Sequence, residues 1–110
     1  MLWQMRVPIK LKLKLILMSY KLKFKEEAWQ EWGKLDNNIR LQFKKKLQTL
    51  LSAPRITASQ LSGHPSRFKI KLRAAGYRLV YEVRDTELVV LVVAIGKRER
   101  NAVYKIAAKR

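Results

Sequence analysis

The apolar residues of the chain follow two different spacings, and the first is a strand-like alternation near the beginning. Apolar residues and lysines alternate from residue 9 to residue 15, and a second alternating stretch, 20–24, follows Met18. A period of two is typical of a β-strand with one apolar face. We interpret Met18 as the start of a single domain, 18–110, and residues 1–17 as a basic extension translated from upstream of that start. The alternative is a basic arm that adds a strand or touches RNA.

Helical spacing follows in the middle of the chain. Residues 25–35 predict a short helix, because acidic residues stand near its start and a lysine near its end. Asp36 is the expected N-cap of a second helix that continues to about Ser52, and Pro54 prevents it from going further. Its apolar stripe consists of Ile39, Phe43, Leu47, Leu50 and Leu51. The two segments predict a helical hairpin with one apolar face, and they leave the three lysines at 44–46 on the solvated side.

The second half of the chain returns to strand spacing and ends in a helix. Three strands are predicted at 68–73, 77–84 and 87–95, with a turn at Ala74-Ala75-Gly76 and with Gly96 ending the third strand. The third strand is apolar on both faces, so we expect it at the centre of the sheet, covered on both sides. Val103, Ile106 and Ala107 indicate a short terminal helix, with Arg98 and Tyr104 near its start.

The order of these elements predicts a fold of the α+β class. We expect an antiparallel sheet made of the N-terminal strand and a three-stranded meander. The helical hairpin packs on one face of this sheet, and a short C-terminal helix follows the last strand. The other face of the sheet is then free to be concave and basic.

Charge is the unusual property of the composition. Lys and Arg number 25 against 8 Asp and Glu, which gives a formal net charge of +17 and a pI of about 10.7. Self-repulsion on this scale works against a compact fold, so we expect a partner that offsets it, either a nucleic acid or an acidic protein. No run reaches the roughly 20 apolar residues of a membrane-spanning helix, so we expect no membrane partner.

The residue types present exclude several kinds of catalytic site. The chain has no cysteine and one histidine, His64, which stands between Gly63 and Pro65 in a predicted exposed loop. Disulfides and thiolate chemistry are therefore excluded, and we expect neither a metal site nor a cofactor. The pair of histidines that many ribonucleases use as acid and base is absent as well. Nuclease chemistry in this chain would have to use Lys, Arg, Tyr or carboxylates.

Cations are concentrated on one side of the first predicted hairpin. With Ala74 and Ala75 as its loop, Lys71 comes directly opposite Arg78, and Lys69 points to the same side. Like charges across a sheet are destabilising, so the cluster favours a function over the alternative, a solvated basic face. It suits metal-free RNA cleavage, in which the 2′-oxygen attacks the adjacent phosphate. Lys71 is a candidate base, because neighbouring positive charges lower the pKa of a lysine.

Three segments follow one another in a fixed order along the second half of the chain: Phe68–Arg73, Gly76–Tyr81 and Gly96–Arg100 followed by Val103-Tyr104. In this order and spacing they resemble the RelE toxin family. Further matches at Ala28, Trp32, Lys34-Leu35, Lys44–Leu47 and Pro54–Ile56 extend the similarity from about Tyr20 to the C-terminus. The family has no counterpart of the segment before Met18, and some members carry a basic residue at the position of Ser62.

The resemblance implies catalytic positions at Lys69, Lys71, Arg78, Arg98 and Tyr104. It gives Lys71 the role of general base and assigns Arg98 to the leaving group. Lys69 and Arg78 then hold the phosphates, and Tyr104 orients or stacks on the nucleotide. We further predict RNA contacts from Lys44, Lys45, Arg73, Lys97 and Arg100.

The resemblance also implies a biological role, that of a cytoplasmic type II toxin. Family members are metal-independent endoribonucleases, or mRNA interferases, which cut messenger RNA in the ribosomal A site and inhibit translation. The implied partners are a RelB-like acidic antitoxin, the ribosome with its RNA, and the message. Operator DNA would be bound, and transcription repressed, only through the complex with the antitoxin.

Two other functions stay open at this point. The first is a toxin of the same fold that acts on DNA gyrase without cutting RNA. The presence of four predicted catalytic residues argues against it: Lys71, Arg78, Arg98 and Tyr104. The second is a basic RNA-binding protein without activity, which composition alone would permit. Loss of toxicity on changing Lys71 and Arg98, with ribosome binding retained, would favour the ribonuclease over this second function.

Four other residues have structural interpretations that we favour over functional ones. The helical spacing of Trp29 and Trp32 predicts core packing rather than stacking on RNA. Glu82 and Glu99 are the carboxylates nearest the basic residues in sequence, and we expect them in ion pairs that reduce the surplus charge.

Overall fold

The α+β class is confirmed by a computed structural model, which describes residues 19–110. The interpretation of residues 1–17 therefore lies outside the described residues. The strands are β1 (Lys21–Phe24), β2 (Arg67–Leu72), β3 (Tyr77–Arg84) and β4 (Val89–Lys97). The helices are α1 (Glu26–Gly33), α2 (Asn37–Leu50) and α3 (Ala102–Lys109), with a 3-10 turn at Thr57–Ser59.

The four strands form one sheet in the order β1-β4-β3-β2. The antiparallel meander of β2, β3 and β4 is confirmed. The prediction of a wholly antiparallel sheet is wrong, because β1 pairs with β4 in parallel, with Lys21 beside Val89 and Phe24 beside Val92. An alternating strand pattern fixes which face is apolar, but it does not fix the neighbouring strand or its direction.

The core has two parts, one on each face of the sheet. The helical hairpin packs on the first face through Ala28, Leu35, Ile39, Phe43, Leu47 and Leu50, which contact Phe68, Ile70, Leu72, Leu79, Tyr81, Val83, Val90, Val92 and Ile95. On the second face, α3 buries Val103 and Ala107 against Val80, Val93 and Ala94. The predicted apolar stripe of the hairpin is thus confirmed, and β4 is covered on both sides as expected.

A bulge in β4 allows this strand to serve both parts of the core. Val80 pairs with Ala94 whereas Tyr81 pairs with Val92, so Val93 is an extra residue on β4. An extra residue locally breaks the alternation of faces. Val92 therefore faces the helical hairpin, whereas Val93 and Ala94 both face α3.

Two predictions about individual residues are wrong. Gly96 does not end the last strand, because β4 continues to Lys97 and Gly96 pairs with Arg78. The glycine is needed for close approach instead, since a Cβ placed there would stand 3.0 Å from Cγ2 of Val103. Trp29 is not a core residue: it contacts the edge of Phe24 but stays 58% exposed.

No helix within residues 19–110 is both long enough and apolar enough to cross a membrane.

Candidate active site

The register of the β2–β3 hairpin places cations opposite each other, as the sequence predicts. Lys71 pairs with Arg78, and the chain reverses with Gly76 at a φ of +73°, a conformation that glycine adopts readily. The Gly76 N–H donates to the Leu72 carbonyl at 2.8 Å, so the loop is wider than the two residues predicted, although the register is unchanged. Leu72 faces the helical hairpin of α1 and α2. Lys69 and Lys71 therefore face the opposite side of the sheet.

A tight turn between β4 and α3 brings the C-terminal residues to this cluster. Arg100 and Asn101 both have a positive φ, of 45° and 62°, and Ala102 N–H donates to the Glu99 carbonyl at 2.7 Å. Before the turn, the backbone N–H of Arg98 donates to the Gly76 carbonyl at 2.6 Å. The turn therefore directs α3 back over the sheet with the Lys69 ammonium 5.9 Å from the centre of the Tyr104 ring.

All five predicted catalytic residues line one cleft of about 230 Å³. Its walls are formed by Lys69, Lys71, Arg78, Lys97, Arg98, Glu99, Asn101, Ala102, Val103 and Tyr104. Strands β2, β3 and β4 and the start of α3 each contribute, so the cleft exists only in the folded sheet. Lys97, one of the predicted RNA-binding residues, belongs to the same cleft.

The positive charge of the cleft is not neutralised by ion pairs. The carboxylates that form ion pairs within residues 19–110 are Glu31, Glu82, Asp85 and Glu87, and their partners are Arg55, Arg67, Arg84 and Arg110. None of these eight residues lines the cleft. The cleft is lined by five cations and one carboxylate, that of Glu99, so its excess positive charge forms a site for an anion such as a phosphate group.

Lys71 has the electrostatic surroundings of a base. Its pKa is lowered from the ordinary value of a lysine, first by the positive charge of Lys69, then by partial burial, and then by Arg73, Arg78 and Arg98. Crowding by like charges disfavours the protonated ammonium, so the neutral amine that can accept a proton is more populated at a given pH. This direction is the one predicted from the sequence.

Arg78 is the most deeply buried cation of the cleft. It is the one charged side chain in the described part of the chain that is classed as buried, with 7% exposure, and its guanidinium donates to the Tyr77 carbonyl at 2.9 Å. A guanidinium keeps its charge at any ordinary pH. Arg78 is therefore a fixed positive charge suited to holding a phosphate, not to transferring a proton.

Tyr104 presents its ring to the cleft and not its hydroxyl. The hydroxyl oxygen is buried and has no hydrogen-bond partner among the described residues. The ring lines the cleft beside the Lys69 ammonium. This orientation suits stacking on a base, as aromatic side chains do with unpaired nucleotides.

A second, larger cleft of about 640 Å³ adjoins the first and shares Lys69 and Lys71 with it. Among the predicted RNA-binding residues it contains Lys45 and Arg73, whereas Lys44 and Arg100 line neither cleft. Lys46 also lines it, although it is not among the residues predicted from the sequence to bind RNA. Apolar residues, among them Leu50, Ile56 and Ile70, also line this cleft.

The structural interpretations made from the sequence are mostly confirmed. His64 is exposed, and Glu82 forms ion pairs with Arg67 and Arg84. Burial raises the pKa of the Glu82 carboxyl, but hydrogen bonds from the two arginines outweigh it and lower the pKa overall. Glu99 differs from the expectation, since it lines the cleft and forms no ion pair among the described residues.

Two residues that shape the site are not predicted for it from the sequence. Asn101 occupies the left-handed region, where asparagine is one of the few residues that fit well. An asparagine between a predicted strand and a predicted helix is the sequence signal that could have identified this tight turn. Gly96 was interpreted as a strand end, and its role in admitting Val103 depends on the position of α3. Within residues 19–110, no group of three or more His, Cys, Asp or Glu side chains could hold a metal ion.

The chain matches known proteins over most of its length. Residues 22–102 match the family model described as "ParE toxin of type II toxin-antitoxin system, parDE". The mRNA interferase toxin RelE of Escherichia coli (strain K12) is 54% identical over 93 residues, which cover 84% of this chain and 98% of that protein.

Solved structures show the same similarity. The crystal structure of the isolated E. coli RelE toxin superposes with a TM-score of 0.72 and 52% identity, covering 84% of this chain and 98% of that chain. The intact E. coli RelBE toxin–antitoxin complex contains a chain that superposes with a TM-score of 0.71 and 52% identity, covering 74% of this chain and all 100% of that one.

Proposed function

The chain belongs to the RelE toxin family and matches the model of ParE toxins of type II toxin–antitoxin systems, and on that premise we propose that it is a ribosome-dependent endoribonuclease. It cleaves messenger RNA in the ribosomal A site and so inhibits translation. The observation that carries the proposal is the cleft in which Lys69, Lys71, Arg78 and Arg98 lie together without ion pairs beside Tyr104.

Each residue of the cleft has its own role in one transesterification step. The neutral amine of Lys71 accepts the proton of a 2′-hydroxyl, and the 2′-oxygen attacks the adjacent phosphorus as the bond from phosphorus to the 5′-oxygen breaks. The products are a 2′,3′-cyclic phosphate and a 5′-hydroxyl, whose proton comes from the Lys71 ammonium or from water. No metal ion is required for this balance.

Fixed charges stabilise the pentacoordinate phosphate in this step. Arg78 and Lys69 hold its non-bridging oxygens, and Arg98 stabilises the negative charge that develops on the leaving oxygen. Because arginine keeps its proton, Arg98 acts by electrostatics and not as an acid. Tyr104 stacks on the nucleotide and fixes its orientation.

The message extends beyond the cleft along the basic surface. Lys97 lines the smaller cleft and contacts the message there. The larger cleft, with Lys45 and Arg73, holds a neighbouring part of the message backbone. Lys44 and Arg100 are exposed outside both clefts, so we assign them to contacts with ribosomal RNA. Contacts of this kind lose affinity with added salt.

The remaining partners follow from charge and family. A net charge of +17 fits an acidic antitoxin of the RelB type, and the complex of the two proteins binds operator DNA and represses transcription. We place the protein in the cytoplasm, where its ribosomal substrate is, and assign no membrane partner to it. Residues 18–110 form the toxin domain in this proposal, and residues 1–17 are a basic extension to it.

Primer extension in a purified translation system tests the proposal. We expect cuts at A-site codons that depend on ribosomes and disappear in Lys71→Ala/Arg98→Ala. The matched control is Lys34→Ala/Arg40→Ala, which removes the same charge from residues that line neither cleft. Absence of cuts from the folded wild-type protein would refute the proposal, as would equal loss of cutting in the control.

A second candidate, inhibition of DNA gyrase, is favoured by the family model, whose description is of ParE toxins. The complete set of cleft residues favours the ribonuclease over this candidate. A gyrase supercoiling assay separates the two, because the ribonuclease leaves supercoiling unchanged at concentrations that stop translation.

A further inference from the structure

The edge of β4 is closed by two side chains where its neighbouring strand ends. Strand β1 stops at Phe24, which pairs with Val92, so the next part of β4 has no strand on that side. Glu31 of α1 accepts the N–H of Ile95 at 3.0 Å, and Arg110 donates to the carbonyl of Val93 at 3.0 Å. Buried backbone groups need such partners, and here they come from two residues far apart in sequence.

The same two side chains form a double ion pair. The guanidinium of Arg110 donates to one oxygen of Glu31 at 2.8 Å and to the other at 3.1 Å. The side chains are only 16% and 25% exposed, compared with 41% and 50% for the pair of Arg55 and Asp85. Two parallel charge-assisted hydrogen bonds restrict geometry more than a single exposed contact does.

Further contacts hold the C-terminal end of α3 to the sheet. Arg67 donates to the Ala107 carbonyl at 2.6 Å, and Lys25 donates to the backbone oxygen of Arg110. A cation at this end also complements the helix dipole. A helix of eight residues is not stable by itself in water. The position of α3 therefore depends on these tertiary contacts.

Tyr104 depends on the position of α3 directly. It belongs to the first turn of the helix, about 9 Å along the axis from Arg110 at the usual rise per residue. Its ring lies beside Lys69, and its hydroxyl is buried. A change in the tilt of α3 would therefore move the ring within the cleft.

We propose that Arg110 and Glu31 are positioning residues for RNA cleavage: their ion pair fixes the C-terminal end of α3 and thereby holds Tyr104 in the cleft. The inference rests on the proposed function. Neither residue lines the cleft or touches the reacting atoms, so both act through Tyr104.

A double-mutant cycle tests this coupling. Single-turnover cleavage of a ribosome-bound message is measured for the wild type, Arg110→Gln, Tyr104→Ala and the double variant. We expect Arg110→Gln to lower the rate by about 10- to 100-fold, the range for a catalytic group displaced by up to an ångström. In the Tyr104→Ala background the same change should have no further effect, because the residue through which Arg110 acts is gone.

A merely structural role would give a different pattern. Loss of folded protein would lower the rate by the same factor in both backgrounds, and that result would overturn the inference, as would an unchanged rate in Arg110→Gln. Circular dichroism shows whether Arg110→Gln is folded. If it is not, Arg110→Lys, which keeps the charge but not the double hydrogen bond, replaces it in the same double-mutant cycle. Arg40→Gln is the matched control, since Arg40 bonds to Gly33 and Asn37, and its rate should equal that of the wild type.

Amide hydrogen exchange gives an independent readout. In Arg110→Gln we expect faster exchange in α3 and unchanged exchange in the helical hairpin, and uniform acceleration would contradict the inference. The outcome is also separable from that of the proposed function. A wild-type protein that does not cut ribosome-bound RNA refutes the function, whereas a cutting protein with an additive cycle refutes only the positioning role.

Discussion

Replacing Gly96 with alanine should displace the helix that carries Tyr104. Gly96 lies in β4 opposite Arg78, and its φ is outside the left-handed region, so the backbone itself accepts alanine. The added Cβ would stand 3.0 Å from Cγ2 of Val103, whereas ordinary contacts begin at 3.4 Å. Val103 must therefore retreat by about 0.4 Å. It is only 4% exposed and is packed with Val80, Val93 and Ala94, so the whole helix has to move.

The expected change in stability is the difference between two opposing effects. Overpacking of a closed core costs about 1–3 kcal/mol. Replacing glycine lowers the conformational entropy of the unfolded chain, which raises the stability of the protein by about 0.4–1 kcal/mol when the native backbone fits alanine. The midpoints of these two ranges, about 2 and about 0.7 kcal/mol, differ by about 1.3 kcal/mol, and we expect Gly96→Ala to lower the free energy of unfolding by this amount. Urea denaturation measures this value as a lower midpoint with an unchanged slope.

A compensating variant checks that the contact with Val103 is the cause. Val103→Ala removes the methyl group that the new Cβ would meet, although it opens a cavity and destabilises the protein by itself. The double variant Gly96→Ala/Val103→Ala should be more stable than the sum of the two single effects, by about 1 kcal/mol. Additive effects, or a Gly96→Ala protein as stable as the wild type, would refute the reasoning.

Three further predictions follow from the same contacts. Lys69→Gln removes the main cause of the lowered Lys71 pKa, so the rising limb of the pH–rate profile of cleavage should move to higher pH; an unmoved limb would argue against Lys71 as the base. Burial raises the pKa of Tyr81 to about 12, so wild-type stability should fall as the pH rises from 10 towards 12, and Tyr81→Phe should lose less over this range in urea titrations. Lys45→Ala/Lys46→Ala should weaken binding to single-stranded RNA and flatten its dependence on salt by a slope of about 1 to 2, whereas an unchanged slope would remove the larger cleft from the RNA path.

The sequence predicts the sheet face that carries the site, because that face depends on local patterns. The alternation in β2 separates Lys69 and Lys71 from the apolar positions, and the position of the turn sets Lys71 opposite Arg78. The apolar run in β4 predicts a central strand for the same reason. Periodicity and turn position are properties of neighbouring residues, so one sequence contains them.

Features that depend on tertiary contacts could not be predicted in this way. The parallel pairing of β1 with β4 and the extra residue Val93 have no local signal in runs of apolar residues. Trp29 has the spacing of a core residue, but one side of it stays open to solvent. Glu31 and Arg110 are 79 residues apart, and only the folded sheet brings them together.

The most direct test of the account uses one altered atom in the substrate. A message is placed on purified ribosomes with a 2′-deoxynucleotide at the site of cleavage, and an all-ribose message serves as its control. If Lys71 activates the 2′-hydroxyl, the wild-type protein should cut the control message and leave a 5′-hydroxyl end. It should also bind ribosomes that carry the deoxy message, but it should not cut that message. Cleavage of the deoxy message at the same position would contradict the account, because no 2′-oxygen would then be available to attack.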